Sequence, residues 1–232
     1  KKIYIIKKMS RISCEPSITE KNNVINVYDV IADNFSNTRR TVWNGVKDFL
    51  DSQDRGSIGF EAGMGNGKNM LYRRDLRMKG IDTCERFVEL SLSYGLDVEK
   101  YNILDYVQDI NKYDFAISIA VFHHLSTEIN RFCAMYNFIS LIKSGGKGLV
   151  TVWSVEQDSD SKRVFKNGDN YISWHKPRLI EDGSQVYDKF NRYYYVFNKN
   201  GFMEYISKFK ILINIDRIYN EKGNWFCIFT KK

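Results

Sequence analysis

Proline is nearly absent: Pro16 and Pro177 are the only two among 232 residues. No proline-rich hinge is encoded, and no repeat or low-complexity linker interrupts the chain. Histidine is also scarce, at three residues, and the four cysteines (Cys14, Cys84, Cys133, Cys227) form no C-x-x-C pair. Too few ligands at metal-binding spacing remain for a structural zinc site, so no metal is expected. The cysteines read instead as reduced thiols in core positions. No apolar run reaches the roughly 18 residues a membrane span requires. The opening KKIYIIKK is too short an apolar stretch for a secretory leader, and no small-residue cleavage site follows it. These absences predict a soluble protein of the cytoplasm, or of the nucleus, with no membrane contact. The expected organisation is an N-terminal extension, residues 1–23, and one domain over residues 24–232.

What is present suits a globular core: 43 % hydrophobic and 27 % charged residues. The net charge of +7 is unevenly spread. It is +4 over residues 1–23, −2 over 24–157, +3 over 158–210 and +2 over 211–232. A compositional bias toward Lys, Asn, Ile and Tyr would raise the charge everywhere, whereas an excess on the flanks suits a polyanionic partner.

Hydrophobic spacing places the elements. Val24, Val27, Tyr28 and Ile31 recur at helical period. Ser36 or Thr38 is positioned to cap a second helix with Val42, Val46, Phe49 and Leu50 inside. Strands are expected at 57–62, 77–82, 113–121 and 148–153, with helices at 84–94 and along the stripe Ile129–Ile142, the latter ended by Ser144-Gly145-Gly146. Phe209, Ile211, Ile213 and Ile215 alternate as a strand, with Trp225–Thr230 as its antiparallel partner. Strands alternating with helices predict an α/β fold: a mostly parallel sheet covered on both faces.

Glu61-Ala-Gly63-Met-Gly65-Asn-Gly67-Lys68 follows the first strand. It is not a Walker A loop, since Ala62 stands at the first glycine position and Asn69 follows Lys68. It is one residue short of G-x-G-x-x-G. It fits [DE]-x-G-x-G-x-G, the pattern of class I methyltransferases that use S-adenosylmethionine. The glycines allow a tight strand-to-helix turn and close backbone approach to a ligand. Asp82 ends the second strand, where a carboxylate can accept from both ribose hydroxyls.

Further blocks carry a family resemblance. Tyr28-Asp-Val-Ile-Ala-Asp-Asn-Phe35-Ser36-Asn-Thr38-Arg39 with Trp43, Gly65-Asn-Gly67-Lys68, and Asp114-Phe-Ala-Ile-Ser-Ile-Ala120-Val-Phe-His123-His124-Leu-Ser-Thr127 resemble eukaryotic tRNA wobble-uridine carboxymethyl methyltransferases. Trp153-Ser-Val-Glu-Gln157, Trp174, Arg192-Tyr193-Tyr194 and Asn224-Trp225 follow in the same order. The methyltransferase domain of the AlkB-homologue tRNA enzyme shares the pattern. The resemblance implies a Rossmann-like class I fold with seven strands in the order 3-2-1-4-5-7-6. It implies methyl transfer from S-adenosylmethionine, leaving S-adenosylhomocysteine, to the carboxylate of 5-carboxymethyluridine in the tRNA anticodon loop. It also implies a heterodimer with a small zinc-binding activator. The sequence departs from the family where Glu61-Ala-Gly63-Met64 replaces the usual Asp-Val-Gly-Cys. It departs again where the adenine-binding Asp becomes Asn102, which predicts weakened cofactor binding.

The resemblance assigns the cofactor to Glu61, Gly63, Gly65, Gly67, Asp82, Asn102, Ile103 and Ala120. A carboxylate nucleophile is already ionised near neutral pH and needs orientation rather than a base. Arg39 is the expected bidentate clamp, and His124 a hydrogen-bond donor to the carboxylate or uracil. His123 is expected to be structural. Trp174, Tyr193 and Tyr194 are candidates for stacking on anticodon bases. Lys162, Arg163, Lys166, Arg178 and Arg192 are candidates for phosphate contacts. The strand near Asp97–Tyr101 is expected at the sheet edge, where the activator would add a strand beside Leu96, Val98, Tyr101, Phe87, Leu90 and Leu92. A methyltransferase for a small carboxylic acid and a catalytically weak RNA-binding scaffold are the alternatives.

Overall fold

A computed structural model describes residues 14–181 and 184–232. Its strands run β1 (Ile58–Ala62), β2 (Arg77–Asp82), β3 (Asp97–Lys100), β4 (Tyr113–Ile119), β5 (Ile142–Trp153), β6 (Gly168–Leu179), β7 (Gln185–Val196), β8 (Ile213–Glu221) and β9 (Asn224–Lys231). Seven form one sheet in the order β3-β2-β1-β4-β5-β9-β8. Pairing is parallel from β3 to β5 and antiparallel at β5–β9 and β9–β8. This is the strand order and fold class expected. The outer helices are α1 (Asn26–Asn37), α2 (Asn44–Asp51), α3 (Lys68–Tyr72), α4 (Glu85–Ser93), α5 (Glu128–Leu141) and α6 (Lys199–Ser207). Two apolar cores lie on the two sheet faces, because alternate strand residues point opposite ways. Ala116 belongs to one core and Phe115 and Ile117 to the other.

Several local expectations are corrected. Ser36 and Thr38 do not start α2: Ser36 lies in α1 and Thr38 is its C-terminal cap. The α2 N-cap is Trp43, without a side-chain bond. Gly145, with φ +81°, does not terminate a helix but lies in an irregular stretch of β5, where the pairing jumps from Ile142 to Lys147. Phe209 and Ile211 precede β8, and Phe209 is packed in the core. In α5 the buried face runs through Asn130, Cys133, Ala134 and Phe138, leaving Ile129 exposed.

Residues 14–23 are joined to the domain, while residues 1–13 lie outside the described residues. Ser17 and Glu20 form a reciprocal capping box that starts a helical turn at Ile18, which continues into α1. The buried Glu20 also accepts from Ser126 N (2.6 Å) and Asn130 Nδ2 (2.8 Å), so one carboxylate ties this segment to the start of α5. The expectation of four reduced thiols fails here. Cys14 is disulfide-bonded to Cys133, and only Cys84 and Cys227 are free and buried. Folding brings the two Cα atoms to 6.6 Å across 119 residues, a proximity no local spacing reveals.

The main addition to the expected architecture is the β6–β7 hairpin, paired from Gly168↔Val196 to Leu179↔Gln185. It turns one face to α1: Trp174 meets Phe35 at 5.5 Å between ring centroids, and Lys176 Nζ donates to Val30 O. The hairpin and α1 thereby wall a cavity at the carboxyl ends of the parallel strands.

Candidate active site

The glycine loop follows β1 directly. Gly63, Gly65 and Gly67 have φ of +71°, +54° and +70°. A Cβ at Gly63 would stand 2.4 Å from Val121 Cγ2, and one at Gly67 2.5 Å from Leu96 Cδ1. A Cβ at Gly65 would meet nothing within 4 Å, so this face of the turn is open toward the cavity. Asp82, at the end of β2, fixes this turn. Its Oδ2 accepts from Gly65 N (2.9 Å) and its Oδ1 from Cys84 N (2.9 Å). Burial pushes its carboxyl up to about 6, opposed by those backbone donors. Each oxygen keeps a lone pair for a further donor.

Glu61 is fully buried. Its Oε1 accepts from Asn69 Nδ2 (2.6 Å), while Oε2 has no partner. Burial pushes this carboxyl up to about 8. A buried acid with an orphan oxygen beside an open glycine turn fits a cationic group at the end of a ligand. Just after β4, the strand beside β1, Ala120 has φ +60° and is held there by bonds from its N–H to Thr151 O and Oγ1. A non-glycine residue in this region is strained, and such strain clusters at sites. Asn102 Oδ1 accepts from Leu104 N (3.0 Å), which orders the turn after β3, and the buried Ile103 lies beside it on the wall. All eight cofactor candidates except Gly67, which sits behind the turn, line this one cavity.

The opposite wall comes from α1, the turn Phe122–His124 and β7. Arg39 lies 4.9 Å over the Phe35 ring, and its Nη1 donates to Thr38 O and Oγ1. His124 differs from its expected role. Its Nδ1 faces the carbonyl of Tyr193 at 2.9 Å, and a carbonyl only accepts, so Nδ1 carries the proton. Burial drives the ring down to about 4, so it is neutral near pH 7 and Nε2 is a bare acceptor. Tyr28 Oη, 3.2 Å away, donates to it, and Tyr194 Oη (3.3 Å) donates in turn to Tyr28. His124 therefore orders two tyrosines rather than donating to a substrate. His123 is buried, accepts from Trp153 N through Nδ1 (3.0 Å) and is held well below its ordinary value by burial, in keeping with a structural part.

The three stacking candidates separate. Tyr194 lines the cavity, but its ring is already stacked on Trp153 at 4.0 Å and 5°. Tyr193 is buried away from the cavity, with Oη donating to Asp169 (2.5 Å). Trp174 packs between Phe35 and Arg192 and stands behind the wall. Among the phosphate candidates, Arg178 is paired with Asp188 (3.1 Å), and Arg192 is not on the surface. It is 4 % exposed, lines the cavity, and has neither Nε nor Nη1 hydrogen-bonded. The sequence signal for it was its place in Arg192-Tyr193-Tyr194, which says nothing of depth.

No protein-family model matches the chain. Among curated proteins, the tRNA (carboxymethyluridine(34)-5-O)-methyltransferase of Schizosaccharomyces pombe is 32 % identical over 225 residues, covering 91 % of this chain and 97 % of that protein. The enzyme of the same name from Saccharomyces cerevisiae is 36 % identical over 166 residues, covering 68 % of this chain and 58 % of that one. The Xenopus tropicalis alkbh8 methyltransferase is 28 % identical over 93 % of this chain, which spans only 42 % of that longer protein. Solved structures agree on the fold. A DhpI–SAM–HEP complex gives a TM-score of 0.65 at 14 % identity, covering 93 % of this chain and 99 % of that one. The methyltransferase in complex with the Haloferax volcanii Trm112 activator gives 0.62 at 12 %, covering 90 % and 97 %. The glycine turn with its two acids, the strand order and the full-length match to the fission-yeast protein converge: this chain belongs to the tRNA (carboxymethyluridine(34)-5-O)-methyltransferase family.

Proposed function

We propose that the chain methylates the carboxylate of 5-carboxymethyluridine at the tRNA wobble position, using S-adenosylmethionine. One observation carries the reading: the glycine–acid cradle and an arginine-bearing wall open into the same cavity. The residues present fit the cofactor. Glu61 Oε2 is an unsatisfied buried acceptor suited to the amino-acid ammonium, Asp82 retains acceptor capacity for ribose, and Asn102 with Ile103 flanks the place for adenine. When bound, the cofactor supplies an electrophilic methyl group on a cationic sulfur.

The chain then has to hold an ionised carboxylate at attack distance and exclude water. No side chain need take a proton, since the nucleophile is anionic above about pH 4. The neutral His124–Tyr28–Tyr194 series suits this task, because it fixes the wall without offering a competing charge. The exposed Arg163, 5.2 Å over Trp153 at the rim, supports an approach of the RNA backbone from this side. β3 is one of the sheet's two edge strands, and Tyr101, Val107 and Ile110 are exposed in the segment that follows it. That apolar edge suits a small activator subunit adding a strand. Of the residues expected to form this patch, Phe87 and Val98 pack in the core instead. Incubating the chain and its activator with carboxymethylated tRNA and labelled S-adenosylmethionine should yield a base-labile methyl ester on the wobble base. Absence of the ester would overturn the reading.

A further inference from the structure

We infer that Arg192, rather than Arg39 alone, is the group that grips the substrate's carboxylate; the inference rests on the function proposed above and names the anion-binding element of that site. Arg192 is buried, yet its Nε and Nη1 have no hydrogen-bond partner. Among the described residues no carboxylate forms an ion pair with it. Its guanidinium lies among aromatic rings, 4.8 Å from the Trp174 centroid, 5.4 Å from Tyr194 and 5.9 Å from Phe35. Ring faces hold a guanidinium in position but supply no acceptor in its plane. A permanently charged fork kept out of water without an anion is costly, and it is rare in folded proteins unless a ligand completes it.

Arg39 shares the Phe35 ring, and the two cations face one cavity and repel each other. The two differ in readiness. Arg39 is half-buried and spends Nη1 on Thr38, whereas the Nε and Nη1 donors of Arg192 are both free. A carboxylate pairs with a guanidinium through Nη2 and either Nε or Nη1, as Asp75 does on Nε and Nη2 of Arg73, and neither edge of Arg192 carries an anion among the described residues. The neighbouring hydroxyl series ends in Tyr194, whose ring lies against Arg192, so β7 sets clamp and wall from residues two apart on one face.

The test compares two anticodon stem-loop RNAs that differ only at the wobble base, one carrying 5-carboxymethyluridine and the other its neutral 5-carbamoylmethyl analogue. Binding to the full chain with its activator is measured beside calorimetric titration of S-adenosylmethionine, which reports an intact site. The wild type is expected to prefer the carboxylate RNA. Arg192→Met should lower affinity for that RNA roughly 10- to 100-fold, as loss of charged hydrogen bonds does, and erase the preference, with the neutral RNA bound as before. Arg192→Lys, which keeps charge but not the fork, should fall between. A retained preference in Arg192→Met, or an equal loss for both RNAs, overturns the clamp and marks a structural or phosphate-binding arginine. If the Met variant fails to bind cofactor, an unchanged preference in Arg192→Lys overturns it equally. Methyl ester formation by the wild type is read separately. Its absence defeats the proposed reaction, whereas ester formation with an unaltered Arg192→Met preference defeats the clamp alone.

Discussion

Glu61 links cofactor binding to pH. Its carboxyl is pushed by burial from the ordinary 4.5 up to about 8, so the folded chain without cofactor carries it protonated at neutral pH while the unfolded chain does not. The folded state thus holds the extra proton, and its stabilising effect is full below pH 4.5 and lost as pH rises toward 8. From pH 6.5 to 7.5 this group is read as the difference between the wild type and Glu61→Gln, because His123 and His124, neutral when folded and ordinarily near 6.5 when unfolded, act in the opposite sense there. The window lies above the level of Asp82, about 6, and below the roughly 7.7 of an α-amino group. Across that one unit, the Glu61 share of the unfolding free energy should fall by up to about 1.4 kcal/mol. A cofactor ammonium placed at Oε2 requires the ionised acid, so binding should release up to one proton and tighten about tenfold over the same unit. The assay is calorimetry in two buffers of different ionisation enthalpy, with urea unfolding at each pH. Glu61→Gln should remove the Glu61 fall in stability, abolish the proton release and weaken binding at pH 7.5. A wild-type affinity independent of pH, with no proton released, would refute the assignment of Glu61 to the ammonium.

Other outcomes follow from the same geometry. Asp82→Ala should weaken cofactor binding by at least about tenfold, since it removes the acceptor for Gly65 and Cys84 as well as for ribose; calorimetry showing wild-type affinity in the folded variant removes Asp82 from the site. Gly65→Ala should cost only about 1–2 kcal/mol of stability, from its positive φ, yet block the cofactor, whereas Gly63→Ala adds a collision with Val121 and should cost distinctly more; equal urea midpoints for the two would contradict this. Tyr28→Phe strips His124 Nε2 of its donor and should destabilise by about 1–2 kcal/mol, with ester formation falling as Tyr194 loses its restraint; unchanged melting and turnover would count against the series. Val107→Asp, at a side chain 67 % exposed beside the β3 edge, should weaken association with the activator in sedimentation runs while the lone chain melts as before; an unweakened complex would move the interface elsewhere.

Local rules made much of this protein legible from its residues. The parallel strands announced themselves by short apolar runs, and the turn after β1 by three glycines whose positive φ other residues avoid. Asp82 was found because strand ends at that distance from a glycine turn face the ligand. These signals depend on backbone sterics and side-chain period, which act over a few residues. The rest depended on partners distant in sequence. Whether Arg192, Tyr193 and Trp174 met RNA or the interior was settled by the long hairpin folding onto α1, and alternating aromatic and charged side chains there suit either face. The proton on His124 was settled by a carbonyl 69 residues away, and the pairing of Cys14 with Cys133 by a contact across 119 residues. Burial, tautomer and charge pairing are properties of the assembled surroundings, so tertiary packing alone decided that Arg192 is buried with two of its donors unpartnered.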